Sequence, residues 1–190
     1  MKRIIAGISL FFLSACGPQT IRGGTEAISY KYPGQVGKRY EKIVVFADLQ
    51  EEPGIGLFTE ITLCNELERY GRINQNPVFC TPRSALQGSQ RANADALIEI
   101  KLTAVGSKVV IEPRVTVGTK NATYTSGGGH GTSEWASFTV RLTDMASNEV
   151  AWTAAAFARS GTRGDVGDMI KDLALEIAQQ LRRNDLLPGR

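Results

Sequence analysis

Between residues 98 and 158 the apolar side chains keep to every second position, and this period of two constrains the fold more than any other feature. Ile98, Ile100, Leu102 and Ala104 alternate with Glu99, Lys101 and Thr103. Val109, Ile111, Val115 and Val117 alternate with Glu112, Arg114 and Thr116, and Ala136, Phe138, Val140 and Leu142 with Ser137, Thr139 and Arg141. Val150 to Ala158 repeats the pattern beyond the turn-forming run Asp144-Met-Ala-Ser-Asn148. Successive side chains of a strand point to opposite faces, so this alternation means a sheet with one face on the core and one facing outward. A doubly wound parallel sheet would read as continuous apolar runs instead.

On either side of this region the pattern changes. Lys42-Ile-Val-Val-Phe-Ala47 reads as a buried strand, ended by Glu51-Glu-Pro-Gly54. Leu57, Ile61, Cys64 and Leu67 then fall at helical spacing, with Glu60, Glu66, Glu68 and Arg69 largely elsewhere and Gly71 where a C-terminal cap belongs. Pro77 to Cys80 reads as a returning strand, and Pro82 to Gln90 as one or two helical turns. A closing helix runs from about Val166 to Arg183, with Val166, Met169, Ile170, Leu173, Ile177 and Leu181 as its apolar stripe. Asp165 can cap it; Asp168 in its first turn and Arg182 and Arg183 in its last match the helix dipole. The predicted fold is an α/β (α+β) two-layer sandwich, mainly antiparallel, with amphipathic helices packed on one face. At 190 residues and 42% hydrophobic content, one such domain, residues 41–187, accounts for the core.

The first residues give an address. Lys2 and Arg3 precede an apolar stretch, Ile4 to Phe12, too short to span a bilayer as a helix of about 20 residues. Leu13-Ser14-Ala15-Cys16 follows and resembles the lipobox of bacterial lipoprotein precursors. That resemblance implies a signal peptide over residues 1–15 and a Cys16 that carries lipid at the mature amino terminus. Several acyl chains, at about 0.8 kcal/mol per buried CH₂, anchor stably where one would not. Gly17 rather than Asp after the cysteine is the pattern that implies export to the outer membrane, facing the periplasm, with the inner membrane and the cell surface as alternatives. Residues 16–40 hold five glycines and two prolines from Gly17 onward, and read as a flexible tether. The alternation of Ile28, Tyr30 and Tyr32 offers a second reading, an edge strand docked on the domain.

Removing Lys2 and Arg3 leaves 20 basic against 19 acidic residues, a net charge of +1, which gives no electrostatic basis for a nucleic-acid partner. Cys64 and Cys80, exported to an oxidising compartment, are spaced so that a helix and its returning strand can bring them to one height, allowing a disulfide; a buried free thiol at Cys64 is the alternative. His130 is the only histidine and no CxxC spacing exists, so no metal site is expected. Its surroundings, Ser126-Gly-Gly-Gly-His-Gly-Thr132, fit neither a phosphate loop nor a nucleophile elbow and read as a loop between strands. No catalytic residues and no cofactor are predicted, because the usual players of acid/base and covalent catalysis are missing. What remains is the outward sheet face. Water alone would select Glu99, Lys101, Arg114 and Arg141 for such a face, but Trp135 among arginines has the composition of a binding hot spot, which makes the five a candidate partner surface, with packing of Trp135 in the core or at an edge as the other reading.

The phrases Ala94-Asp-Ala-Leu-Ile-Glu-Ile100 and Phe138-Thr-Val-Arg-Leu-Thr-Asp144 through Glu149-Val-Ala-Trp152, with the final helix, are similar to small envelope lipoproteins related to LpoB, the amino-terminal domain of TolB and the periplasmic domain of CsgG. The resemblance covers about Lys42 to Leu187. It implies a non-enzymatic structural or regulatory component of a cell-envelope assembly that binds another envelope protein. A ligand- or lipid-binding auxiliary lipoprotein of a transport system is the alternative.

Overall fold

A computed structural model describes residues 24–31, 37–49, 53–86, 93–111, 115–119, 122–126, 130–160 and 165–189. Eight strands and two α-helices follow in the order β1 (Gly24–Lys31), β2 (Lys42–Asp48), α1 (Pro53–Ile73), β3 (Phe79–Pro82), β4 (Ala96–Ile111), β5 (Val115–Thr119), β6 (Ala122–Ser126), β7 (His130–Asp144), β8 (Glu149–Arg159) and α2 (Val166–Arg183). Six strands form one sheet in the order β1-β8-β7-β4-β2-β3, while β5 and β6 pair as a separate two-stranded sheet. β2 runs parallel to β3 and β4, and every other pairing is antiparallel. The helices pack against each other on one face, which makes the predicted two-layer α/β sandwich.

The alternating pattern sorts as strand geometry requires. Ile98 and Ile100 of β4, Val140 and Leu142 of β7, and Trp152, Ala154 and Ala156 of β8 are buried beneath the helices. Leu63 and Leu67 of α1 and Leu173, Ile177 and Leu181 of α2 close over them. The predicted α2 stripe lies against the sheet with Val166 only partly buried, and Asp165 caps the helix by accepting a hydrogen bond from the Asp168 N–H at 2.8 Å.

Five sequence expectations need correction. Residues 24–31, read as part of the tether, form the edge strand β1, paired antiparallel with β8 from Gly24↔Arg159 to Lys31↔Trp152. The apolar stripe of α1 is rotated from the expected one: Gly56, Thr59, Glu60, Leu63, Cys64, Leu67 and Gly71 are buried, whereas Leu57 and Ile61 are exposed. Both polar members of this stripe are hydrogen-bonded, Thr59 within the helix and Glu60 to neighbouring segments. Thr59 Oγ1 donates to the Ile55 carbonyl, and Glu60 accepts from the Ala47 N–H through Oε1 and from the Ser84 N–H and hydroxyl through Oε2. Gly71 lies inside α1 rather than capping it, because the returning chain passes so close that a Cβ there would sit 2.6 Å from the Val78 nitrogen.

The fourth correction concerns β4. It is one strand of 16 residues, not two shorter ones, and a register shift between Leu102 and Ala104 leaves Thr103 as the extra residue. The Thr103 hydroxyl donates to the Ser137 carbonyl at 2.9 Å. The shift turns Ala104, expected inward, to the exposed side. His130 belongs to the start of β7, opposite Ile111, rather than to a loop.

Two aspartates in the quoted phrases act as fasteners. Asp95 accepts from the backbone N–H of Glu41 and Lys42 at 3.2 and 2.9 Å, which sets the start of β2 beside β4. Asp144 accepts from the N–H of Ala146 and Ser147 and so builds the β7–β8 turn, in which Asn148 takes the left-handed conformation at φ 57°. Its other oxygen binds Lys38 Nζ at 2.8 Å and the Tyr40 hydroxyl at 3.2 Å. Cys64 and Cys80 are joined by a disulfide that ties α1 to β3, with 5.0 Å between the Cα atoms.

Candidate functional site

Among the described residues the outward face of the six-stranded sheet is open over β4, β7 and β8, whereas at β2 Val44 is buried on it beside Leu86, and strand register arranges the side chains in rows. Phe46 of β2, Glu99 of β4, Arg141 of β7 and Thr153 of β8 stand side by side, and Tyr30 continues the row at its backbone position in β1. Asp48, Lys101, Thr139 and Ala155 occupy the next row, which Ile28 continues at its backbone position. Neighbouring strands lie about 4.8 Å apart and rows on one face about 6.7 Å apart, so Glu99, Lys101 and Arg141 form one compact group. Glu99 and Arg141 are direct cross-strand neighbours of opposite charge, a pairing that favours the sheet by about 0.2–1 kcal/mol.

Trp135 shares this face but stands apart from the charged group. Six residues separate it from Arg141 along β7, about 20 Å at strand rise. Its ring stacks on Phe157 with centroids 5.9 Å apart and planes at 25°, and it lies over Gly106 of β4. The sheet register thus brings Glu99, Lys101 and Arg141 together and places Trp135 in the row where β1 and β8 end, while β4 and β7 continue to the Ile111–His130 pair. Arg114 lies outside the described residues, as does Cys16.

Sequence reasoning missed two aromatic members of the face. Phe46 looked like part of a continuous buried run, yet it points outward, and the Arg83 guanidinium lies 4.0 Å from its ring centroid. Phe157 sat unnoticed in an alanine-rich strand; its odd-numbered position, shared with Thr153 and Ala155, was the available signal.

A groove of about 400 Å³ opens at the Trp135 end, where β4 and β7 extend past the starts of both helices. Its walls are mainly apolar, with Ile55 of α1, Val105 of β4, Phe138 of β7 and Val166 and Met169 of α2. At the opposite end sits the polar cluster around Asp144. Burial pushes the Asp144 carboxyl up, but hydrogen bonds from Lys38, from the Ser147 and Ala146 N–H groups and from Tyr40 outweigh it and hold the group far below the usual carboxylate range. Burial and the neighbouring Asp144 charge hold the Tyr40 hydroxyl well above the usual phenol range. Every oxygen of this cluster already serves the turn or the chain start, so its geometry is that of a fastening. Among the described residues no three His, Cys, Asp or Glu side chains gather where they could hold a metal ion, and no helix is long and apolar enough to cross a membrane.

Comparison with solved structures shows where this fold recurs. PelC from Paraburkholderia phytofirmans, solved as a dodecamer, superposes with a TM-score of 0.52 at 19% identity over 86% of this chain and 99% of that one. A variant of the same PelC dodecamer gives 0.52 at 15% identity over 85% and 98%. Lipoprotein GNA1162 from Neisseria meningitidis gives 0.37 at 15% identity over 74% and 97%. The likeness to PelC is one of fold, over 86% of this chain. No protein-family model matches it, and comparison with curated proteins returns no match.

Proposed function

We propose that this protein is a non-enzymatic structural or regulatory component of a bacterial cell-envelope assembly, anchored by an acylated Cys16 to the outer membrane and facing the periplasm. The observation that carries this reading is the one-sided architecture: two helices cover one face of the sheet, and the other presents Glu99, Lys101 and Arg141 in adjacent rows, with an aromatic margin at Trp135. A flat face with charges of both signs and a rim of aromatic side chains suits a protein partner. The dodecamers in which PelC was solved support a partner surface that serves an assembly of many chains. The lipobox supports the address.

The test is photo-crosslinking in cells, with the probe replacing Arg141 and, separately, Lys101 in the lipidated protein. A discrete protein adduct at both positions is the expected result. Absence of any adduct at either position would reduce the face to a solvated surface.

A second reading has its own observation. The apolar groove at the Trp135 end suits a lipid or another apolar ligand of a transport system, and co-purified lipid released from the intact protein would favour it.

A further inference from the structure

The outer side of the helical layer is apolar where a surface helix is normally polar. α1 buries Leu63 and Leu67 against the sheet, yet Phe58, Ile61 and Ile73 are 40%, 42% and 67% exposed. α2 buries one stripe and adds Leu175, 38% exposed, to the outer side. A helix that is apolar all round is one packed on more than one side, and the sheet covers α1 on only one of them.

The two helices lie side by side and run the same way. A Cβ built on Gly167 at the start of α2 would lie 3.9 Å from the Phe58 ring near the start of α1, and a groove of about 250 Å³ opens between the C-terminal halves of both. Tyr70, Ile73, Leu175 and Ala178 are its apolar lining, and Arg69 and Arg182 its basic lining. The stretch from Phe58 to Ile73 is about 22 Å long, or roughly four helical turns. A third helix laid along this seam would touch both α1 and α2 at ordinary interaxial distances of about 8–10 Å.

Charge selects the kind of helix. On the C-terminal halves of α1 and α2 each carboxylate is already engaged: Glu66 pairs with Arg69, Glu176 pairs with Arg183, and Glu68 accepts from the Cys80 N–H at 3.5 Å. Arg72 and Arg182, both exposed, have no carboxylate at ion-pair distance among the described residues. The surroundings of the groove are therefore positive, and an incoming surface with carboxylates beside its apolar residues complements them.

We propose that the seam between α1 and α2 is a docking site for an acidic amphipathic helix of a partner protein. Its apolar stripe rests on Ile73 and Leu175, and its carboxylates face Arg72 and Arg182, the helix-in-groove mode of recognition. This surface lies on the opposite side of the sheet from Glu99, Lys101 and Arg141 and does not depend on them. The domain then has two faces for contact, a charged sheet and an apolar helical layer.

The experiment is photo-crosslinking in cells, with a photo-reactive apolar amino acid replacing Ile73 and, separately, Leu175 in the full-length chain, and with the crosslinked peptides sequenced by mass spectrometry. The expected adduct at both positions is the same segment of another protein, carrying apolar residues at spacings of three and four and more Asp and Glu than Lys and Arg. Arg72→Glu combined with Arg182→Glu should cut its yield by about tenfold, because like charges then face each other. Both arginines are exposed, and an unchanged melting temperature verifies that the variant is folded. Adducts with peptides of this same chain, with phospholipid or with a basic segment overturn the proposal. So does the absence of any adduct, or a yield that the arginine reversal leaves unchanged.

Discussion

Trp135 and Gly106 face each other across β7 and β4, and the indole fills the space that a side chain at position 106 would need. A Cβ built on Gly106 comes within 2.7 Å of the indole Nε1. Gly106→Ala should therefore displace the ring from its stack on Phe157, with an overpacking penalty of about 1–3 kcal/mol. A shift in tryptophan emission accompanied by a lowered unfolding midpoint is the expected result; an unchanged spectrum would mean that the ring lies elsewhere.

Gly71 tests the close passage of the chain behind α1. In an open helix interior, Gly→Ala stabilises by roughly 1 kcal/mol. Here the added Cβ meets backbone, the Val78 nitrogen at 2.6 Å and the Asn76 carbonyl oxygen at 2.8 Å, neither of which can rotate away. Gly71→Ala should reverse the usual sign and destabilise by about 1–3 kcal/mol, read by urea unfolding.

The Asp144 fastening predicts an acid limb in the stability profile. Its folded-state pKa lies below the unfolded value of about 3.9, so the stability it confers is present above that value and is lost as pH falls toward the folded-state pKa. Asp144→Asn should destabilise by about 1–3 kcal/mol at neutral pH, through weaker hydrogen bonds to the turn and loss of the Lys38 pair. The gap between wild type and variant should narrow as pH drops from about 5 to 2. A gap that stays constant across that range would show that the carboxylate charge plays no part.

The disulfide closes a separation of 16 residues between Cys64 and Cys80. The chain-entropy treatment assigns such a loop about 3 kcal/mol. Reduction, or the double replacement Cys64→Ala with Cys80→Ala, should lower Tm by roughly 6–12 °C for a domain of this size. Equal melting temperatures with and without reductant would remove the bridge from the account of stability.

Much of this architecture is legible in local spacing. The alternation around Ile98, Val140 and Ala154 assigned faces correctly, because side-chain direction along a strand depends only on the backbone of that strand. The stripe of α2 was equally clear, since its apolar residues are strongly one-sided. α1 was misphased for the opposite reason: it buries Thr59 and Glu60 and exposes Leu57 and Ile61, and only the positions of Ala47 and Ser84 make a buried glutamate acceptable. For the candidate site, the sequence named the charged group and Trp135, but it did not show the 20 Å between them or the presence of Phe46 and Phe157.

The amino-acid sequence by itself determined the kind of each main element, the inward and outward faces of the long strands, the cap of α2 and the absence of a familiar catalytic motif. These follow from periodicity and residue chemistry within one segment. Tertiary structure alone decided the strand order, the parallel placement of β2 beside β4, the bulge at Thr103, the docking of β1 on β8 and the meeting of Gly24, Trp135 and Gly106 in one row. Each of these is a pairing between segments, some of them more than 100 residues apart, and the register of such a pairing is set by the packing of the whole core rather than by any single stretch of chain.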